Sequence, residues 1–206
     1  MSTSGHKLNR VAVFCGANAG TRPEYLQSAN EVGQELVKRK IGLVYGGGSV
    51  GMMGAVAQTV DSGLGEGGVI GVIPHDLMPR EMSGAPIGDL RVVDTMHQRK
   101  AQMSDLSDAF IALPGGFGTL EELLEIVTWN QIGLIVKPVG VLNVAGYFDH
   151  LLKFFDHAVQ EGFVREASRT IVIEGKTPAE LLDKLAAYKS PPSLLELAKT
   201  APRGLR

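Results

Sequence analysis

Residues 109–133 read "AFIALPGGFGTLEELLEIVTWNQIG". The apolar run "AFIAL" predicts a buried strand and "LEELLEIVTWNQIG" predicts an amphipathic helix, which places the glycines between them at a strand-to-helix turn. Turns at the carboxyl ends of strands are where open α/β sheets hold their ligands.

Outward from this unit the alternation repeats. "VAVF" (11–14), "IGLVYGGG" (41–48), "GGVIGVI" (67–73), "LRVVDT" (90–95), "KPVGVLNV" (137–144) and "TIVIE" (170–174) are six further strand candidates. Between them lie helical patterns such as "PEYLQSANEVGQELVKRK", opened by Pro23, then "MMGAVAQTVDSG", "MHQRKAQMSDLSD", "YFDHLLKFFDHAVQEG" and "PAELLDKLAAY". Residues 75–89 hold two prolines and two glycines and read as an irregular loop. Seven strands alternating with helices predict a Rossmann-like, doubly wound, mainly parallel sheet covered on both faces. The reading is one domain over residues 10–188, with flexible or weakly structured tails at 1–9 and 189–206.

Composition narrows the partners. A chain of 206 residues with 44% hydrophobic and 20% charged residues can fill a core. Its net charge of −2 supplies no field for gathering nucleic acid, so any phosphate site must be local. Cys15 is the single cysteine, which excludes an internal disulfide and a cysteine-built zinc site and suits a reducing compartment. The polar start "MSTSGHKLNR" lacks a signal region and no apolar run reaches the about 18 residues of a membrane span, so the expectation is a cytoplasmic protein without a membrane partner.

Two glycine clusters fall at strand ends. The first, "YGGGSVGMMG", sets Gly46, Gly48 and Gly51, with Gly47 between, in G-x-G-x-x-G spacing. It follows the second strand rather than the first, and the ribose-binding acid of a nicotinamide site has no better candidate than Asp76, which lies in a loop. Neither cluster is followed by Lys-Ser or Lys-Thr, so a P-loop fails. Gly115, Gly116 and Gly118 form the second cluster and expose the N-terminus of a new helix, where a phosphate is a natural guest. Against this, Thr119-Leu120-Glu121-Glu122 also spells a T-x-x-E capping box, which would stabilise the helix with no ligand. Local sequence leaves both readings open. A phosphate beside a carboxylate calls for a cation, and Arg99 and Lys100 are placed to supply one from the preceding βα unit.

These blocks are specific in combination. "PGGFGTLEE" resembles the PGGxGTxxE signature of the LONELY GUY family of cytokinin riboside 5′-monophosphate phosphoribohydrolases, whose members often carry a lysine decarboxylase label. "YGGGSVGMMG", "MHQRKAQM" and "TWNQIGLIVKPVG" are similar to that family's blocks in the same order, and the similarity spans residues 10–188. The resemblance implies hydrolysis of the N-glycosidic bond of N6-substituted adenosine 5′-monophosphates, with no metal or organic cofactor. It places Arg99 and Glu122 at catalytic positions. Glu81, Lys100, Gly115, Gly116, Phe117, Gly118, Thr119 and Thr128 fall on its nucleotide-contacting positions. It also implies a homodimer or larger assembly, for which the helix bearing Trp129, Ile132 and Leu134 is a candidate face. Ala17 stands where relatives often have serine.

The chemistry suits these residue types. Cleaving a ribosyl C–N bond builds oxocarbenium character, which an ionised carboxylate at Glu122 would stabilise. Proximity to Arg99 and to the helix start predicts a low pKa for Glu122. Arg99 keeps its proton and serves to neutralise and position. Glu121 points about 100° away from Glu122 and reads as a surface or contact residue. Met96 and Met103 read as core, and His97 as incidental. Three rivals remain: a non-catalytic nucleotide sensor on the same fold, a nicotinamide oxidoreductase, and a pyridoxal-phosphate decarboxylase. The last would need Lys100 or Lys137 as its Schiff base.

Overall fold

A computed structural model describes residues 6–200. Seven strands form one parallel sheet: β1 (Arg10–Phe14), β2 (Gly42–Tyr45), β3 (Val69–Pro74), β4 (Asp89–Val93), β5 (Ala109–Ala112), β6 (Val139–Leu142) and β7 (Val172–Gly175). Their spatial order is β4-β3-β2-β1-β5-β6-β7. The chain therefore winds outward from β1 to one edge, returns to the centre, and winds outward again from β5. The turning point lies between β1 and β5, which pair in register Val11↔Ala109 through Phe14↔Ala112.

Side-chain alternation in the central strands divides the core. Val11 and Val13 of β1 join Ala109 and Ile111 of β5 on one face, where they meet α1 (Pro23–Arg39), α2 (Gly51–Leu64) and α8 (Pro178–Ala186). Ala12, Phe14, Phe110 and Ala112 take the other face, against α4 (Met96–Asp105), α5 (Phe117–Ile132) and α6 (Asp149–Gln160). Phe14 and Phe110 stack there with centroids 5.8 Å apart. Such two-sided burial is why these strands read as unbroken apolar runs.

Helix ends follow their sequence signals. Pro23 opens α1, and Lys40 closes it in the left-handed region at φ 58, donating its N–H to the Leu36 and Val37 carbonyls. Thr95 and Gln98 form a reciprocal capping box on α4, which satisfies two otherwise unpaired donors.

One region differs from the sequence reading. Residues 75–89 include a 3-10 turn (His75–Leu77) and a one-turn helix, α3 (Met78–Glu81), started by Pro79 near its first position. Beyond the short α7 (Glu166–Arg169), the tail contains α9 (Leu194–Thr200), which packs against α5. At the other end, the His6 N–H donates to the Ala186 carbonyl at 2.7 Å. The outer tail residues, 1–5 and 201–206, lie outside the described residues.

One crossover positions the site. β4 is the sheet edge, four strand spacings from β5 or about 19 Å, so α4 does not arrive beside β5 as an adjacent βα unit would. It packs on β3 and β4 and leads back across the sheet, pointing Arg99 toward the turning point.

Candidate active site at the sheet turning point

A cavity of about 460 Å³ opens at the carboxyl ends of β1 and β5. Two loops form its floor. The Gly16 N–H donates to the Pro114 carbonyl at 3.0 Å, and the Leu113 N–H to the Phe14 carbonyl at 2.9 Å, which ties the β1–α1 and β5–α5 loops together. The glycines of "PGGFG" then divide by role. A Cβ at Gly115 would lie 2.1 Å from Thr119 Oγ1 and 2.9 Å from the Gly16 nitrogen, so close packing demands glycine there. At Gly116 and Gly118 a Cβ would meet nothing within 4 Å, and both residues line the cavity.

α5 starts at Phe117, with Gly116 as N-cap and no side-chain cap. Its first-turn N–H groups are therefore left for a ligand or water, and they carry the positive end of the helix dipole. This overturns the capping-box reading, because Thr119 is the third helical residue and Glu122 the sixth. Both are buried on the cavity side instead.

Glu122 and Arg99 face each other at 3.7 Å (Oε1 to Nη2) and are 7% and 5% exposed. Arg99 Nη2 also donates to the Gly46 carbonyl at 3.2 Å. A Cβ on Gly46 would fall 2.0 Å from that nitrogen, so the first glycine loop makes room for the guanidinium. Gly51, at φ 60, leaves space for the Ala17 carbonyl, which a Cβ would approach to 2.1 Å. Gly47 packs on Ile73 and Gly48 on Met53. None of these four glycines lines the cavity, although Met52 and Met53 just beyond them do.

Burial pushes the Glu122 carboxyl up to about 7; Arg99 pulls it down, and Glu121 and Glu81 push it up further. The low value predicted from sequence is overturned because removing the carboxylate from water costs more than an arginine beyond hydrogen-bond distance returns. Burial, with Glu122 next, also raises the Cys15 thiol, so Cys15 stands in the cavity wall as a thiol and not a thiolate nucleophile.

Of the other expected site residues, Glu81 lines the cavity, and its Oε2 is buried without a partner. Lys100 is buried behind the wall in ion pairs with Glu121 and, at 2.9 Å, Glu125. Phe117 is 93% exposed and outside the cavity. Thr128 donates to the Leu124 carbonyl at 2.7 Å and borders a separate apolar cavity with Leu124 and Phe154. Met103 is core as expected, whereas Met96 is partly exposed with its sulfur 3.8 Å from Arg99 Nη1. His97 and Asp76 are exposed. Lys137 donates to the Ser104 carbonyl at 2.7 Å. No group of three or more metal-ligating side chains occurs among the described residues.

Asn18, Tyr25 and Tyr147 also line the cavity and were not singled out from sequence. Their signal was position: each lies within a dozen residues after the carboxyl end of β1 or β6.

The fold and the site together define a Rossmann-like α/β protein with a ligand pocket at its switch point, combining an uncapped helix N-terminus with a buried arginine–glutamate pair. The family described as "Possible lysine decarboxylase" matches residues 53–185. Cytokinin riboside 5′-monophosphate phosphoribohydrolase LOG3 of Arabidopsis thaliana is 54% identical over 182 residues, covering 88% of this chain and 84% of that protein. The rice (Oryza sativa subsp. japonica) protein named probable cytokinin riboside 5′-monophosphate phosphoribohydrolase LOGL2 is 56% identical over 182 residues, covering 88% and 74%. This chain belongs to the LONELY GUY family. Among solved structures, the Moco carrier protein of Chlamydomonas reinhardtii superposes with a TM-score of 0.64 at 23% identity, covering 94% of this chain and 99% of that one, and shares the fold.

Proposed function

We propose that this protein hydrolyses the N-glycosidic bond of adenosine 5′-monophosphates bearing an N6 substituent, releasing the free base and ribose 5-phosphate. The observation that carries the reading is the buried Arg99–Glu122 pair, set one helical turn beyond the uncapped start of α5 in a single cavity. A 5′-phosphate takes the first-turn N–H groups around Gly116, Gly118 and Thr119. The ribose then lies over Glu122, since one turn of helix, about 5.4 Å, is comparable to the span from the phosphorus to the anomeric carbon.

In the reaction, water supplies hydroxide to the anomeric carbon and a proton to the departing base as the C–N bond breaks. Glu122, with a pKa of about 7, is suited to accept the proton of the attacking water and to oppose the charge on the oxocarbenium-like carbon. Arg99 holds the nucleotide and balances the carboxylate. The unpartnered Glu81 Oε2 is available to a ribose or base donor. Lys100 supports the site through its ion pairs across α4 and α5. Self-association belongs to the same reading: Leu124, Leu134, Val136 and Phe154 are exposed apolar residues on or near α5 and α6. Light scattering on the purified protein gives the molar mass that tests it.

The test incubates the protein with isopentenyladenosine 5′-monophosphate, its dephosphorylated riboside and AMP, following free base by chromatography. Base released from a monophosphate but not from the riboside, and lost in Glu122→Gln and Arg99→Ala, is the expected result. Nucleotide binding with no base released from any substrate would overturn hydrolysis in favour of a sensor.

A further inference from the structure

The connection between β6 and α6 builds a feature that the proposed chemistry leaves unused. Within its 3-10 turn (Val144–Gly146), two successive residues have positive φ: Ala145 at 49° and Gly146 at 72°. An alanine is disfavoured in the left-handed region and stays there only where its surroundings fix it. Here they do. The Asn143 amide donates to Asp149 Oδ1 at 2.7 Å and Glu174 Oε1 at 2.8 Å, while its Oδ1 accepts the Phe148 N–H at 2.8 Å. The Tyr147 N–H closes the turn on the Val144 carbonyl at 3.0 Å.

What the turn presents is Tyr147. Its ring meets Tyr25 edge-on at 5.7 Å and Phe148 at 5.1 Å, and its hydroxyl donates to the Gly115 carbonyl. That carbonyl belongs to the peptide between Gly115 and Gly116. With glycine on both sides, no Cβ resists a flip of this peptide plane. Because the peptide is trans and planar, pinning the Gly115 C=O on one side turns the Gly116 N–H to the other. A flipped peptide would set a carbonyl oxygen against an anion where an N–H belongs.

We propose that Tyr147 is a positioning residue whose hydroxyl locks the Gly115–Gly116 peptide with its N–H, not its carbonyl, toward the substrate's 5′-phosphate. The proposal rests on the phosphate-binding reading of α5, and it separates the role of the hydroxyl from that of the ring.

Tyr147→Phe keeps the ring and removes only the donor. Calorimetry with AMP, ribose 5-phosphate and adenosine is the test, alongside steady-state hydrolysis of isopentenyladenosine 5′-monophosphate and a melting curve. The expected result is roughly three- to tenfold weaker binding of AMP and ribose 5-phosphate, with adenosine binding and Tm unchanged and KM raised more than kcat is lowered. Equal losses for AMP and adenosine, or no loss for either, would overturn it. Tyr147→Leu guards against a silent packing effect: it should add a uniform loss across all three ligands to the same phosphate-selective one, and a purely uniform loss would count against the lock. Run in the Glu122→Gln background, calorimetry reads binding without turnover, so AMP binding with no base released by the wild type would end the hydrolase reading and still decide the role of Tyr147.

Discussion

Burial raises the Glu122 carboxyl from its ordinary 4.5 to about 7. If the carboxylate is the working form, kcat/KM should climb with pH through that value and level above it, and Glu122→Gln should flatten the profile while lowering the rate at least about a hundredfold. The same shift bears on stability. Between pH 4.5 and about 7 the unfolded chain has released a proton that the folded chain retains, so stability falls as pH rises through this window and the loss is complete above it. Melting curves should therefore show Glu122→Gln gaining on the wild type from pH 4.5 to pH 8, by an amount on the order of 2–3 kcal/mol. Gly46 gives a second residue-scale prediction. A methyl placed 2.0 Å from Arg99 Nη2 must move the guanidinium, so Gly46→Ala should cost activity about as severely as Arg99→Ala while AMP retains part of its affinity.

Among the elements, α3 shows how a distant hydroxyl can set a site residue. The Ser49 N–H donates to the Glu81 carbonyl at 2.9 Å, the Ser49 hydroxyl donates to the Ser83 carbonyl at 3.0 Å, and the Ser83 N–H returns to Ser49 Oγ at 2.6 Å. Ser49→Ala removes the last two of these bonds and should loosen the α3 segment that presents Glu81. A rise of a few fold in KM, reversed in Ser49→Thr, is the expected outcome, checked by steady-state kinetics. Legibility differed between elements for physical reasons. β1, β2, β3, β5 and β6 were readable because each is buried on both sheet faces and so spells an apolar run, while the edge strands β4 and β7 are only partly buried and were read from short runs of β-branched residues. α3 was not, since a single turn carries no periodicity, and Pro79, which suggests a loop, serves equally well at the start of a helix. At the start of α5 the sequence leaves a Thr119 cap and an open N-terminus as alternatives, because a hydroxyl in the right spacing imitates the cap position that Gly116 occupies. The pKa of Glu122 was beyond sequence, because the depth of its burial depends on residues 15, 52 and 99, all remote in the chain.

At the scale of the whole molecule, the two faces of the sheet share a fully buried centre. Phe110→Ala would open a void beneath Phe14 and should lower stability by about 3–5 kcal/mol in chemical denaturation. The site itself depends on long-range assembly. α4 leaves the sheet edge and delivers Arg99 to the centre, where it meets a glutamate 23 positions later and a carbonyl 53 positions earlier. Tyr147 comes from the second half of the sheet. Neither half alone contains the pocket. Closing such separated loops is entropically slow, and local helices can form long before it is complete. During refolding, far-ultraviolet ellipticity should thus recover ahead of nucleotide affinity, and chains halted with only β1 to β4 in place would carry Arg99 without its carboxylate: a ribosome releasing this polypeptide too early would yield secondary structure but no competence.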